Sequence, residues 1–196
     1  MSLLFHFIIP ATPTAKGRAR STVVRGKGGK IVTTADGRPI VSHHTPEKTR
    51  NYEALVKDFA QQAIAGRDPL TVPVDLLVEF RFGIPDSWPK WKRELASAGL
   101  LHHTAKPDCS NLVKAIEDAC NGVLFKDDGQ VVGCIQDKVW TTGAPCIAVH
   151  GYQRAGVPLK TSLAEAKAAL AGYQPDMRTN HMPLGRRFRT LHLVTP

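Results

Sequence analysis

The sequence predicts an α+β protein, a mixed β-sheet packed against a few helices. Three observations predict it. Apolar-rich stretches at residues 3–10, 72–82, 131–140 and 147–153 read as strands, the second with period-two alternation through Val74, Leu76, Val78 and Phe80. Between them, residues 45–64 and 111–120 carry apolar side chains at helical spacing. The composition, 42% hydrophobic and 22% charged over 196 residues, suits a soluble chain with one main domain.

Taken in order, residues 3–10 form a first strand bounded by Pro10 and Pro13. Residues 16–30 are basic and glycine-rich, with Lys16, Arg18, Arg20, Arg25, Lys27 and Lys30 all preceding the first acid, Asp36. This stretch reads either as a loop that tracks phosphates or as a solvated basic loop. Asp36-Gly37 is a turn pair for a hairpin over residues 31–41. Thr45-Pro46-Glu47 opens a helix, with Thr45 as its cap. Tyr52, Leu55, Val56, Phe59, Ala60, Ala63 and Ile64 form its apolar stripe, and Gly66 ends it. On its polar side, Lys48 and Arg50 face either DNA or solvent.

A strand over residues 72–82 breaks at Pro85 and Pro89, and a short helix follows over residues 91–98, stopped at Gly99. Trp88 and Trp91 there either stack on unpaired bases or pack the helix down, and packing is the favoured reading. Lys106-Pro107 is extended. Asp108 or Ser110 caps a helix over residues 111–120, which Asn121-Gly122 ends. Residues 123–125 read as a short strand and residues 126–129 as a hairpin tip before the next strand. Residues 161–173 are alanine-rich and helical by propensity. The remainder carries Arg178, Arg186, Arg187 and Arg189, with no acid after Asp176. Residues 1–156 are therefore expected to form the main domain. Residues 157–196 are expected to form a helical, arginine-rich extension, partly disordered until it meets DNA or a partner chain.

Several classes are disfavoured. No run approaches the ~18 apolar residues of a membrane span. The apolar N-terminus lacks a preceding basic segment, unlike a signal peptide. Cys109, Cys120, Cys134 and Cys146 make no C-x-x-C pair, so a zinc site is poorly supported and reduced thiols are expected. His102-His103 near Cys109 is only a faint metal hint. A formal net charge of +9 favours polyanionic partners.

Against that charge, six of the 17 acids fall between residues 108 and 137: Asp108, Glu117, Asp118, Asp127, Asp128 and Asp137. Acids gathered inside a basic protein point to a divalent cation, with the surrounding positive charge holding a polyanion. Asn111, Lys114 and Asp118 share one helix face. For Asp108 and Asp128 to share an ion, the fold must bring the tip carrying Asp128 back to the helix start.

The motifs KPD-x-x-NL-x-K, D-A-x-NG and DD-x-QV, spread over residues 106–131, resemble the signature of the RusA family of Holliday junction resolvases. KGRAR at residues 16–20, TPEKTRNYE at residues 45–53 and PDSWPKWK at residues 85–92 agree with the front half of phage-type members, so the resemblance runs from about residue 7 to about residue 150. It implies a RusA-like fold forming a homodimer, and a Mg²⁺-dependent endonuclease, with Mn²⁺ as a substitute. The expected substrate is branched DNA, a four-way junction cut by paired symmetric nicks. A place in the bacterial cytoplasm, phage- or prophage-encoded, is expected too.

Carried over by residue, the resemblance makes Asp108 and Asp128 metal ligands, with Asp127 a secondary ligand or orienting group. Lys114 contacts the scissile phosphate or stabilises developing charge. Asp118 pairs with Lys114 at i,i+4, as a positioning group or a plain surface ion pair. Lys16, Arg18, Arg20, Lys106, Lys114 and Lys126 contact DNA, and Ser110 and Asn111 support the site. One departure stands out: the family's second aspartate is Ser110 here, a weak Mg²⁺ ligand that acts at most through water. The alternatives are a catalytically weak or inactive branched-DNA binder, a nuclease for other branched DNA, or a small-molecule phosphohydrolase.

Overall fold

The computed structural model describes residues 2–156 and 162–172; within strands, the side chains of Arg20 and His43 are not described. Ten elements run in order: β1 (Leu3–Ile9), β2 (Arg20–Val23), β3 (Val41–His44), α1 (Glu47–Ile64), β4 (Val74–Gly83), α2 (Lys90–Ser97), α3 (Cys109–Cys120), β5 (Val131–Thr141), β6 (Cys146–Gln153) and α4 (Leu163–Ala171). Four strands form one mixed sheet in the order β1-β6-β4-β5, with β4 and β5 parallel and the other pairs antiparallel. The fold is α+β, as the sequence predicts.

The core lies on one face of this sheet. Along β4, Val74, Leu76, Val78, Phe80 and Phe82 are buried, the period-two set read from the sequence. Phe5, Phe7 and Ile9 of β1 and Ile147 and Val149 of β6 join them. Helices α1 and α3 pack on each other over this layer, through Tyr52, Val56, Ala60 and Ile64 of α1 and Leu112, Val113, Ala115, Ile116 and Ala119 of α3. At about 25 cal/mol per Å² of apolar surface, each fully buried large side chain contributes about 1.5–3 kcal/mol.

Register aligns one end of the sheet. Ile9 faces Ile147, Ile147 faces Phe80, and Phe80 faces Lys138, so β1, β4 and β5 all finish there. Lys138 Nζ donates to the carbonyls of Ala105 at 2.7 Å and Pro107 at 3.0 Å, tying the segment before α3 to this end. The Lys106–Pro107 peptide is cis. Helix α3 thus starts beside the strand C-termini, where open sheets that carry parallel strands bind ligands.

Three local expectations are corrected. Residues 123–125 are a tight turn rather than a strand: Val123 and Leu124 donate their N–H groups to the Cys120 carbonyl, at 3.0 and 2.9 Å. Val123, Leu124 and Phe125 are all buried, so the run plugs the core instead of alternating. Asp128 therefore sits at no hairpin tip. It opens a single 3-10 turn, Asp128–Gln130, that leads into β5. Thr45 is not the α1 cap either: Pro46 holds that position without a side-chain bond, and its carbonyl receives the Thr49 and Arg50 N–H groups.

The basic stretch has more order than a loop. β2 pairs antiparallel with β3, and the bridges Arg25–Ile31 and Thr33–Pro39 extend the ribbon toward the Asp36-Gly37 turn. Gly37 has φ of 80°, as that turn requires. α4 falls within the predicted helix, whereas Arg178, Arg186, Arg187 and Arg189 lie outside the described residues.

Candidate active site

Two clusters meet on α3. The first surrounds its N-terminus. Asp108 is the N-cap residue, with extended backbone (φ −73°, ψ 144°), yet its carboxylate accepts no capping bond. An aspartate at that position ordinarily spends an oxygen on the first-turn N–H groups. Here the exposed carboxylate instead lines a cleft of about 1120 Å³ with Arg18, Lys48, Lys106 and Asn111. Three cationic side chains and a helix N-terminus make the cleft attractive to phosphate. Ser110 lies exposed in the first turn of α3.

The second cluster is a chain of alternating charges. Lys114 Nζ lies 3.0 Å from Asp118 Oδ1 and 3.1 Å from Asp128 Oδ2. Asp118 Oδ2 also receives Lys16 Nζ, which lies 3.5 Å from Glu53 Oε1 on α1. The order is Glu53, Lys16, Asp118, Lys114, Asp128. Hydrogen bonds to Asp118 and then Asp128 raise the Lys114 pKa, and the bond to Asp118 raises that of Lys16. Burial pushes the Asp118 carboxyl up, but its two lysine partners outweigh this and leave it below the usual range. Glu117 is raised by burial, with the Asp128 and Asp118 charges adding to the effect and Lys114 opposing it.

The Lys16 backbone is fixed as well. Its N–H donates to the Asn111 carbonyl at 3.0 Å, and the Gly17 N–H donates to Thr49 Oγ1 at 3.0 Å. A Cβ on Gly17 would stand 2.8 Å from that hydroxyl and 3.2 Å from Pro46 Cγ. The chain that leads into β2 is thus pressed between α1 and α3, and only glycine passes.

Of the predicted site residues, the first cluster gathers Asp108, Asn111, Arg18 and Lys106. The second gathers Lys114, Asp118, Asp128 and Lys16. The Asp127 carboxylate turns to local structure: its Oδ1 accepts the Gly129 N–H at 2.7 Å, while Gln130 Oε1 accepts the Asp127 N–H. Lys126 is exposed beside it, and the Arg20 side chain lies outside the described residues.

Sequence reasoning missed Glu53, whose partner is 37 positions away, beyond any helical or strand period. It left Lys48 undecided, and the cleft includes it. Of the tryptophans, Trp88 packs edge-on against Trp140 with ring centroids 4.8 Å apart, and Trp91 is exposed. His103 is buried between Phe82 and Trp140, a packing role rather than a ligand's.

Among the described residues, no three His, Cys, Asp or Glu side chains form a group that could hold a metal ion. Asp108 and the half-exposed Asp128 still offer hard oxygen donors, and one or two carboxylates completed by water are what Mg²⁺ ordinarily takes from a protein. Each is the donor type that ion takes, with Asp108 in the first cluster and Asp128, bonded to Lys114, in the second.

Residues 10–150 match the family model described as endodeoxyribonuclease RusA. The chain belongs to the RusA family. The matched span covers both clusters and ends before α4. The chain is also similar to the uncharacterized protein YqaN of Bacillus subtilis (strain 168), 34% identical over 128 residues, which cover 64% of this chain and 80% of that protein. No helix among the described residues is long and apolar enough to cross a membrane.

Proposed function

We propose that this RusA-family chain is an endonuclease that resolves four-way DNA junctions, working as a homodimer that makes paired symmetric nicks. The observation that carries the reading is Asp108: a carboxylate excused from capping its own helix, in a cleft lined by Arg18, Lys48 and Lys106. Ringing an acid with cations that it does not neutralise suits a site where a phosphate backbone and a divalent ion arrive together.

The residues divide the work. Arg18, Lys48 and Lys106 hold the backbone by charge, which positions DNA without reading bases. Asp108 and Asp128 would hold Mg²⁺, which when bound activates water and polarises the phosphate. Lys114 gives up its contact with Asp128 and turns its ammonium toward the charge that develops on the phosphate. Asp118 anchors Lys114 from one turn along α3. A C₂ pair sets two such sites across the junction, one for each strand to be cut.

A synthetic junction with one labelled strand tests this. The wild-type chain should cut it symmetrically with Mg²⁺ or Mn²⁺, and Asp108→Asn should bind at least as tightly while cutting at background rate. Full cleavage by Asp108→Asn would remove Asp108 from the site. Lys114→Met should slow cutting by about 10²–10³-fold, the usual cost of losing one donor to developing charge. Ser110 favours a second reading, a binder that cuts weakly or not at all, because this position lacks the family's second aspartate. Tight junction binding without strand scission at any Mg²⁺ or Mn²⁺ level would establish it, and recovery of cutting in Ser110→Asp would locate the cause.

A further inference from the structure

We infer that Lys16 is a positioning residue that sets Lys114, and not a DNA contact. The inference rests on the nuclease reading above and assigns it a residue outside the cleft. Lys16 has the sequence look of a phosphate contact, since it opens the basic stretch. Its ammonium, however, is held between Asp118 and Glu53, and its backbone is bonded to Asn111. A phosphate approaching it would meet two carboxylates, one on each side. Arg18, two residues on, is exposed and lines the cleft, so the chain turns from a clamped root to a free cation within one step.

The consequence for Lys114 follows from sharing. Asp118 is partly buried and serves two lysines, one through each oxygen. With Lys16 engaging Oδ2, Lys114 takes only Oδ1 and leaves its ammonium within reach of Asp128. Without Lys16, Asp118 would have Lys114 as its sole cation and would draw it down onto the helix. Lys114 would then be held away from the side on which Asp128 lies. Glu53 matters one step further out, because it stops Lys16 from swinging toward the cleft.

The two roles of Lys16 differ in what salt does to binding. A phosphate contact adds about 0.9 to the slope of log affinity against log salt, and a positioning residue adds nothing. Junction affinity would be measured across a salt series for wild type, Lys16→Met, Lys16→Arg and Lys106→Met, with single-turnover cleavage alongside. Expected for Lys16→Met are wild-type affinity and slope, with cutting slowed roughly ten- to hundredfold through misplacement of Lys114. Lys16→Arg, which keeps the charge, should recover most of the rate. Lys106→Met should flatten the slope by about 0.9.

A flattened slope and weaker binding in Lys16→Met would overturn the inference, as would wild-type cutting by it or failure of Lys16→Arg to rescue. Should Lys16→Met not fold, Glu53→Gln carries the same test: slower cutting at an unchanged slope supports the inference, and an unchanged rate overturns it. A wild-type chain that binds junctions but cuts none sinks the nuclease reading instead. The salt slopes would still show whether Lys16 touches phosphate.

Discussion

His103 is a neutral ring buried between Phe82 and Trp140, with centroids at 4.1 and 4.4 Å. Burial holds its pKa below the ordinary value of 6.5, and the Lys138 ammonium acts in the same direction. The unfolded chain therefore binds the proton first as pH falls. Stability from this site is complete above that value and is lost as pH drops below it. The thermal midpoint should fall as pH drops below about 6.5, and His103→Phe should shrink the fall. An equal fall in the variant would place the titrating group elsewhere. Single residues were unevenly legible in the sequence. Asp108 and Lys114 could be singled out because both stand in the KPD-x-x-NL-x-K motif. The His103 pocket could not, because its walls come from β4 and β5, 21 and 37 positions away on either side.

At the scale of elements, strands and helices were legible wherever one face is buried. β4 and α1 show their core side directly in the alternation and in the stripe. Residues 123–125 misled because a wholly buried run has no period. Pairing was also beyond reach: nothing local says that β5 joins β4 in parallel. Next to that joint, Asp75 of β4, 3% exposed, accepts from Nε of Arg154, just past β6, at 2.7 and 2.9 Å. Gly133 of β5 lies over the pair, and a Cβ there would stand 2.5 Å from Asp75 Oδ1. Arg154→Met strands a buried carboxylate and should cost about 3 kcal/mol in denaturant unfolding, the low end for a broken buried pair because Arg154 is partly exposed. A loss near zero would mean that water or another cation reaches Asp75.

For the whole molecule, we propose that residues 1–156 are the working unit. α4 buries none of its side chains, and Leu163 and Leu170 are each 72% exposed. A chain ending at residue 156 should melt at the wild-type temperature and cut junctions at the wild-type rate. A lower melting temperature would show that the extension docks. A slower rate with normal melting would make it part of the DNA path. Fold class was legible from composition and period at this scale, while the two clusters on α3 were only half so. The motif supplied their acids and lysines. Their grouping depends on α1 and the residue 16–17 crossing, which no spacing records.

The outermost strand pairing joins Leu3 to Tyr152 and Ile9 to Ile147. β1 leaves the ribosome well before its partner. At about 5–20 residues per second, roughly 7–28 s separate the synthesis of Ile9 from that of Ile147. Through that interval Phe5, Phe7 and Ile9 can lean on α1 but have no strand beside them, so a nascent chain stalled before β6 leaves an open, apolar strand edge to holdase chaperones or to its own copies.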